Sequence, residues 1–412
     1  MTKSTLADGE LRFPAITTFL NPHTNPHPRK EAPFMNPLRI LLVGIGGYGG
    51  LYVRDLAANA KEGNVTVAGV VDPYAQNAPE YETARTLTSA FFSSVEEFYA
   101  EHTADLAVIS TPIPLHAPQA IYCMEHGSHV LVEKPIAATP DAARSMIAAR
   151  DRTQKLLAVG FQWCNDRAMS AFRADAQAGR FGRLLSMRAL VIWPRNTAYY
   201  TRGSGWAGKK YDRNGNPIFD SVASNATAHY LENMLWIAGH PLTHVQASTF
   251  RANPIETYDT ITLTGRVGDA HLTYAATHAA PPDCVQNPMF EYEFERGTAS
   301  FGGFGLSGSE LAVRLTSGET VSYGPSFPSG GGSGRVEKLW DIVDSIREGT
   351  PLRCTAEDAL LHTLAMESVR EIEPDSRIFP EERIVHENGM YFVPGLAEEM
   401  IACYQERKLL SI

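Results

Sequence analysis

Short apolar runs alternate with helical stretches from residue 38 to about residue 160. Leu38–Val43 reads as a buried strand, and further strands follow at Thr66–Val71, Asp105–Thr111, His129–Val132 and Leu156–Phe161. That alternation predicts βαβ units and a parallel sheet. The helices carry their own punctuation. Ser94 with Glu97 makes a capping box, Thr139-Pro140 an N-cap followed by proline at the first helical position, and Gly127 a helix stop.

Beyond Arg180-Phe181-Gly182 the pattern changes. Strands at 184–193, 244–250, 258–265, 271–276, 289–294 and 310–315 are joined by Gly, Asn and Pro turns, which predicts a mostly antiparallel sheet with one solvated or partner-covered face. Between the first two lie a polar, aromatic loop (194–219) and a helix over about 226–238, ended by Gly239. A Gly/Ser-rich loop (325–334), helices at 336–347 and 356–371, and a short tail complete the chain. Residues 1–34 hold Pro14, Pro22, Pro26, Pro28 and Pro33 without sustained periodicity. They read as a flexible arm, with Met35 an alternative start.

Bulk properties narrow the classes. A chain of 412 residues predicts two domains, or one large one with a sizeable core. A net charge of −10 argues against nucleic-acid or anionic-membrane partners, which require basic surface. No apolar run approaches membrane-spanning length, and neither a secretory signal nor a twin arginine opens the chain. Cys123, Cys164, Cys284, Cys354 and Cys403 are scattered, with neither a CxxC pair nor zinc spacing. They read as buried or free thiols of a reducing, cytoplasmic compartment, and no metal site is expected.

The chemistry concentrates at two strand ends. Leu38–Val43 opens into Gly44-Ile45-Gly46-Gly47-Tyr48-Gly49, the Gly-x-Gly-x-x-Gly dinucleotide fingerprint in its strand–helix setting. Gly44 serves a tight turn, Gly46 lets backbone approach a pyrophosphate, and Gly49 lets helix pack closely on strand. The pyrophosphate then meets a helix N-terminus. Asp72, at the end of the second strand, is placed to grip ribose hydroxyls and repel a 2′-phosphate, so NAD is favoured over NADP. Glu133-Lys134-Pro135 follows a later strand and puts a lysine where open parallel sheets bind ligands.

Taken together, Gly44–Gly49, Asp72, Ser110-Thr111-Pro112-Ile113-Pro114-Leu115-His116-Ala117, Glu133-Lys134-Pro135, the helix His229–Gly239 and Val343–Gly349 resemble the Gfo/Idh/MocA (glucose–fructose oxidoreductase, inositol dehydrogenase, rhizopine catabolism) family over roughly residues 37–372. The resemblance implies an α/β fold with an N-terminal Rossmann domain (35–160). It also implies a C-terminal α/β domain (161–412) whose open sheet serves substrate binding and homo-oligomerisation, as a dimer or tetramer. The implied chemistry is NAD(P)-linked oxidation or reduction of a sugar or polyol hydroxyl. Lys134 would touch substrate and nicotinamide, with Pro135 after a cis peptide. Thr111, Pro112, His116 and Glu133 would line the cofactor beside Ile45, Gly47 and Tyr48. His229 would be the base, and its place in the first helical turn favours a neutral imidazole.

Asn225 is the departure, because the family's dehydrogenases usually carry aspartate four residues before this histidine. An amide can orient a hydroxyl or the imidazole, but it neither takes a proton nor stabilises an imidazolium by charge. Asp220 is close in sequence, though out of register. The loop before it mixes Arg195, Arg202, Lys209, Lys210 and Arg213 with Trp193, Tyr199, Tyr200, Trp206 and Tyr211. Such a mixture suits sugar faces and carboxylates, and it equally suits a solvated hairpin or subunit contact. Arg202, Trp206, Lys209, Asp220, Asn225 and His229 are the substrate-side candidates. The expected activity is NAD-dependent hydride transfer at a secondary hydroxyl of a sugar, polyol or sugar acid. A redox-neutral, transiently oxidising sugar-modifying enzyme and a non-catalytic sugar sensor are the alternatives.

Overall fold

The computed structural model describes residues 36–203, 205–303, 306–326 and 335–412, with 306–309 as backbone only. The arm read from residues 1–34 and most of the Gly/Ser-rich loop lie outside the described residues. Residues 36–412 form one unit.

Six strands, β1 (Leu38–Val43), β2 (Val65–Val71), β3 (Phe91–Phe92), β4 (Leu106–Ile109), β5 (His129–Val132) and β6 (Leu157–Val159), form a sheet of order β3-β2-β1-β4-β5-β6. Every pairing in it is parallel. The chain order reverses between β1 and β4, which creates the crevice where doubly wound sheets bind ligands. Successive β1 residues enter different cores: Leu41 and Val43 one, Ile40 and Leu42 the other. A strand covered on both faces has to be apolar throughout.

Helices α1 (Gly49–Asn59), α2 (Tyr81–Leu87), α3 (Val95–Glu101), α4 (His116–Glu125) and α5 (Pro140–Thr153) connect these strands. Thr139 caps α5 through the Ala142 N–H. Ser94 accepts from the Glu97 N–H at 3.2 Å, but the Glu97 carboxylate returns to the Ser93 N–H rather than to Ser94. The capping box is therefore only half made.

The second sheet has nine strands. They are β7 (Leu184–Ile192), β8 (Leu242–Arg251), β9 (Thr260–Val267), β10 (Ala270–Thr277), β11 (Gln286–Phe294), β12 (Gly297–Gly303), β13 (Leu306–Leu315), β14 (Thr320–Pro325) and β15 (Arg377–Ile378), in the order β14-β13-β12-β11-β7-β10-β9-β8-β15. Only β10–β7 and β15–β8 are parallel. Around it run α6 (Arg167–Gln177), α7 (Thr197–Thr201), α8 (Ala228–Ala238), α9 (Glu337–Glu348), α10 (Ala356–Ile372), the hairpin β16 (Val385–Glu387) and β17 (Met390–Phe392), and α11 (Leu396–Glu406).

The helix α8, buried from Ala228 to Ile237, packs Leu231, Met234 and Trp236 into one core with Ala189, Tyr274 and Tyr292 of the sheet and Val132 and Phe161 of the first region. The expected short tail is longer and structured. Phe379, Leu396, Met400 and Cys403 pack on Leu190, Ile192, Phe250 and Ala275 of the opposite sheet face. Each large apolar side chain so buried contributes about 1.5–3 kcal/mol. The chain itself thus covers much of the face expected to be solvated or partner-covered. Helix α9 returns to the first sheet, where Arg347 donates to the carbonyls of Gly63 (2.9 Å) and Asn64 (2.6 Å). No helix among the described residues is long and apolar enough to cross a membrane.

Candidate active site

At the end of β1 the chain turns on Gly44, whose φ of +82° lies in the left-handed region that favours glycine. A Cβ on Gly49 would lie 2.1 Å from the Gly44 carbonyl oxygen, so α1 can approach β1 only without one. Gly46 and Gly47 differ, since a Cβ there would meet nothing within 4 Å. Their backbone faces open space at the N-terminus of α1. Asp72 ties the end of β2 to this turn by accepting from the N–H groups of Ile45 (3.0 Å) and Tyr74 (2.9 Å). Tyr48 faces the other way and donates its hydroxyl to the Arg335 carbonyl at 3.0 Å.

The next strand ends are stapled together. The buried ring of His116 spans the carbonyls of Thr111 and Pro135 at 2.9 Å each. Burial lowers its pKa, and a neutral ring donates to only one of the two. Thr111 donates to Gln119 at 2.6 Å, and Pro112 is exposed beside it. Glu133 is turned inward rather than along the crevice. Its carboxylate accepts from the Tyr52 hydroxyl (2.6 Å) and pairs with Lys338 of α9 (2.5 Å), both ends of the pair being buried. Lys338 also donates to the Gly160 carbonyl (2.8 Å) and lies over the Tyr48 ring (4.4 Å). Sequence reasoning missed Lys338, which carries no motif.

The Lys134–Pro135 peptide is cis. The Lys134 ammonium donates to both oxygens of Asn225, the backbone carbonyl at 2.8 Å and the side-chain Oδ1 at 2.7 Å. The Asn225 amide nitrogen in turn donates to Asp220 Oδ1 at 2.8 Å, and Asp220 Oδ2 accepts from the Gly208 N–H at 2.6 Å. A buried carboxylate therefore stands one hydrogen bond behind Asn225. Burial pulls Lys134 down to about 8 and pushes Asp220 up, while each charge holds part of the other's ionised form. Phe219, just before Asp220, adopts φ +48°, uncommon for a bulky residue, and this turns the chain inward.

Asn225 lies on a π-type turn (Val222–Ala226) rather than on the helix expected from residue 226. Ser221 and Ser224 cap that turn reciprocally, and the Thr227 N–H reaches back to the Val222 carbonyl at 2.8 Å. Helix α8 starts only afterwards, with His229 in its first turn. The His229 ring is buried edge-on to Phe161 at 5.7 Å, and Nδ1 has no hydrogen-bond partner among the described residues. Burial and then the Lys134 charge hold its pKa well below the usual imidazole value. One turn on, Glu232 meets Cys164 and Cys354, their donor atoms within 4.8 Å of one another. Burial pushes Glu232 up to about 8 and Cys354 up to about 11.

The aromatic loop divides its cations. Arg202 lies over the rings of Tyr199 (3.6 Å) and Trp206 (4.8 Å). Lys209 pairs instead with Glu256 at 2.9 Å and lines a cavity of about 400 Å³ to which Lys134 and His229 do not contribute.

Residues 38–161 match the family described as "Oxidoreductase family, NAD-binding Rossmann fold", of Gfo/Idh/MocA type. Over those residues the chain is similar to this oxidoreductase family. Among curated Gfo/Idh/MocA-like relatives it is 31% identical to an inositol 2-dehydrogenase of Rhodococcus jostii over 153 residues, 36% of this chain and 40% of the relative. It is 28% identical to a 1,5-anhydro-D-fructose reductase of Ensifer adhaerens, over 39% of this chain and 46% of that one. The chain thus spans under half the length of these two curated relatives. The fold is similar to the WlbA dehydrogenase of Chromobacterium violaceum, crystallised with NADH and UDP-GlcNAcA (TM-score 0.69, 23% identity, 83% of this chain and 95% of that chain).

The family's cofactor fits the residues present. The open space at Gly46 and Gly47, at the N-terminus of α1, suits a pyrophosphate. Asp72, still a carboxylate acceptor beyond its two backbone bonds, suits ribose hydroxyls. NAD is accordingly expected to bind more tightly than NADP, and Asp72→Ser to narrow the gap. Titration of both cofactors against both proteins checks this, and tighter binding of NADP by the natural protein refutes it.

Proposed function

We propose that this protein is an NAD-dependent oxidoreductase that transfers hydride between nicotinamide and a secondary hydroxyl of a sugar, polyol or sugar acid. The observation that carries the reading is the convergence of Lys134, Asn225 and Asp220 beside the neutral, buried His229, with Lys134 at the carboxyl end of the sheet that also holds the glycine-rich turn. The names of the relatives, which act on inositol and anhydrofructose, support a sugar-like substrate.

A bound nicotinamide would supply the hydride acceptor. His229 takes the hydroxyl proton on a ring nitrogen. Lys134, as the ammonium, donates to the same oxygen while negative charge develops there, a fixed charge in a site of low polarisability. Asn225 aims that ammonium through its two oxygens, and Asp220 supplies the balancing charge through the amide. The test is direct: NAD-loaded protein is screened with sugars, polyols and sugar acids for absorbance at about 340 nm, where reduced nicotinamide absorbs. Firm NAD binding with no reduction across the panel would refute the reading.

The pH profile follows from the same groups. Lys134 carries its charge below about 8 and loses it above, so kcat/KM should fall as pH rises through that value. His229 stays neutral well below the usual imidazole value, so the acid side should show no loss near pH 6.5. A rate still climbing well above pH 8 removes the ammonium from the mechanism.

Asp220 also decides the outcome of Asn225→Asp. The new carboxylate would face Asp220 across a 2.8 Å contact, and two buried like charges cannot both ionise. The single variant should lose turnover, and the exchange Asp220→Asn with Asn225→Asp should restore most of it. A fully active single variant would show that Asp220 carries no charge for Lys134.

A further inference from the structure

Two arginines of the aromatic loop lack the partners that its lysines have. Lys209 and Lys210 are paired with Glu256 and Asp375, each at 2.9 Å. Arg195 and Arg202 have no carboxylate within ion-pair distance among the described residues, and Arg195 Nε is buried with no hydrogen-bond partner. What holds them is aromatic. Both guanidinium groups lie over the Tyr199 ring, at 5.1 Å for Arg195 and 3.6 Å for Arg202. Arg195 also lies over Trp193 at 5.4 Å. Arg202 donates to the Tyr199 carbonyl, and the Arg195 N–H anchors the loop base to the His278 carbonyl at 3.1 Å. Stacked guanidiniums keep their in-plane N–H groups for a ligand.

Their position ties them to the candidate active site. Arg202 is close enough for its charge to act on Lys134 and Asp220. Trp193, under Arg195, packs against Tyr230 at 5.5 Å, and Tyr230 is the neighbour of His229. The nearby carboxylates are already engaged by protein. Asp220 holds Gly208 and Asn225, and Asp259 accepts from Ala252 and Asn253. A chain of net charge −10 therefore places Arg202 near Lys134 and stacks Arg195 on the same Tyr199 ring, while the acids nearby are engaged by protein. A neutral polyol gives this arrangement nothing to neutralise, whereas a carboxylate or phosphate meets planar donors suited to it.

We infer that the substrate carries an oxyanion, a carboxylate or a phosphate, bound by Arg195 and Arg202 while its hydroxyl meets His229 and Lys134. This rests on the oxidoreductase reading for the hydroxyl and on the loop geometry for the anion. The experiment titrates NADH-loaded protein calorimetrically with matched pairs: aldonates against alditols, uronates against aldoses, and sugar phosphates against the parent sugars. At least one anion should bind about tenfold or more tightly than its neutral counterpart. Arg195→Met and Arg202→Met should each abolish most of that preference, leaving NADH affinity and the neutral compound's affinity in place. Arg195→Lys, which keeps charge without the planar fork, should recover only part of it. Whether carboxylates or phosphates show the preference identifies the oxyanion. Neutral compounds binding as well as their anions, a preference that survives both methionine variants, or no anion binding at all would overturn the inference. The same panel read as NAD reduction separates the two readings. Arginine-dependent anion binding without reduction refutes the oxidoreductase and keeps the anion site, and reduction of neutral polyols alone does the reverse.

Discussion

Lys134→Met and His229→Ala are expected to lower turnover by about a hundredfold or more while the protein folds and binds NAD, the usual scale for losing an oxyanion donor or a general base. The two losses differ in kind. Lys134→Met removes a charge held by two hydrogen bonds to Asn225 and leaves that amide oxygen unsatisfied. Some stability, about 1–3 kcal/mol, should go with it. His229→Ala removes a ring whose Nδ1 has no hydrogen-bond partner among the described residues, so its cost to stability should come from lost packing against Phe161. Steady-state turnover on one confirmed substrate, with NAD affinity measured alongside, decides the matter. Near-normal turnover in either variant takes that residue out of the mechanism.

Lys338→Met is expected to destabilise the fold by about 3–5 kcal/mol, because it strands the Glu133 carboxylate in the interior. Lys338 and Glu133 form a pair with side chains 2% and 8% exposed, so water cannot replace the missing partner. Adding Glu133→Gln to Lys338→Met should recover much of the loss by removing the orphaned charge. Urea unfolding of the single and double variants measures both quantities. A single-variant loss under about 1 kcal/mol would mean that the pair contributes no more than a surface contact. Cofactor affinity should also weaken in Lys338→Met, because the same ammonium lies over Tyr48 of the glycine-rich turn and bonds Gly160 behind Lys134.

Much of the architecture was legible in the sequence where a few neighbouring residues settle the outcome. Strands Leu38–Val43 and His129–Val132 appear with the bounds read from their apolar runs, and Gly127 and Gly239 end their helices at positive φ. The glycines at 44 and 49 occupy sites whose backbone geometry excludes a side chain, a local demand that a motif records well. Less was legible where the local signal was weak. Strands Gly297–Gly303 and Thr320–Pro325 were missed because their glycines and polar residues break up an apolar run. The C-terminal helix Leu396–Glu406 was missed because its apolar face is satisfied only by a sheet laid down much earlier in the chain.

In the candidate site, the residue types were set by sequence and the partnerships by tertiary structure. Lys134 at a strand end, His229 opening a helix and the oddity of Asn225 were all visible in advance. That Asp220 stands behind Asn225 was not, because a π-type turn replaces the α-helical register assumed from spacing. Nor was the turning of Glu133 toward Lys338, or the division of the loop's cations between paired lysines and stacked arginines. Backbone preference acts over a few residues and is written locally. Charge pairing is decided by which distant segments the fold brings within a hydrogen bond's reach, and only the folded chain determines that.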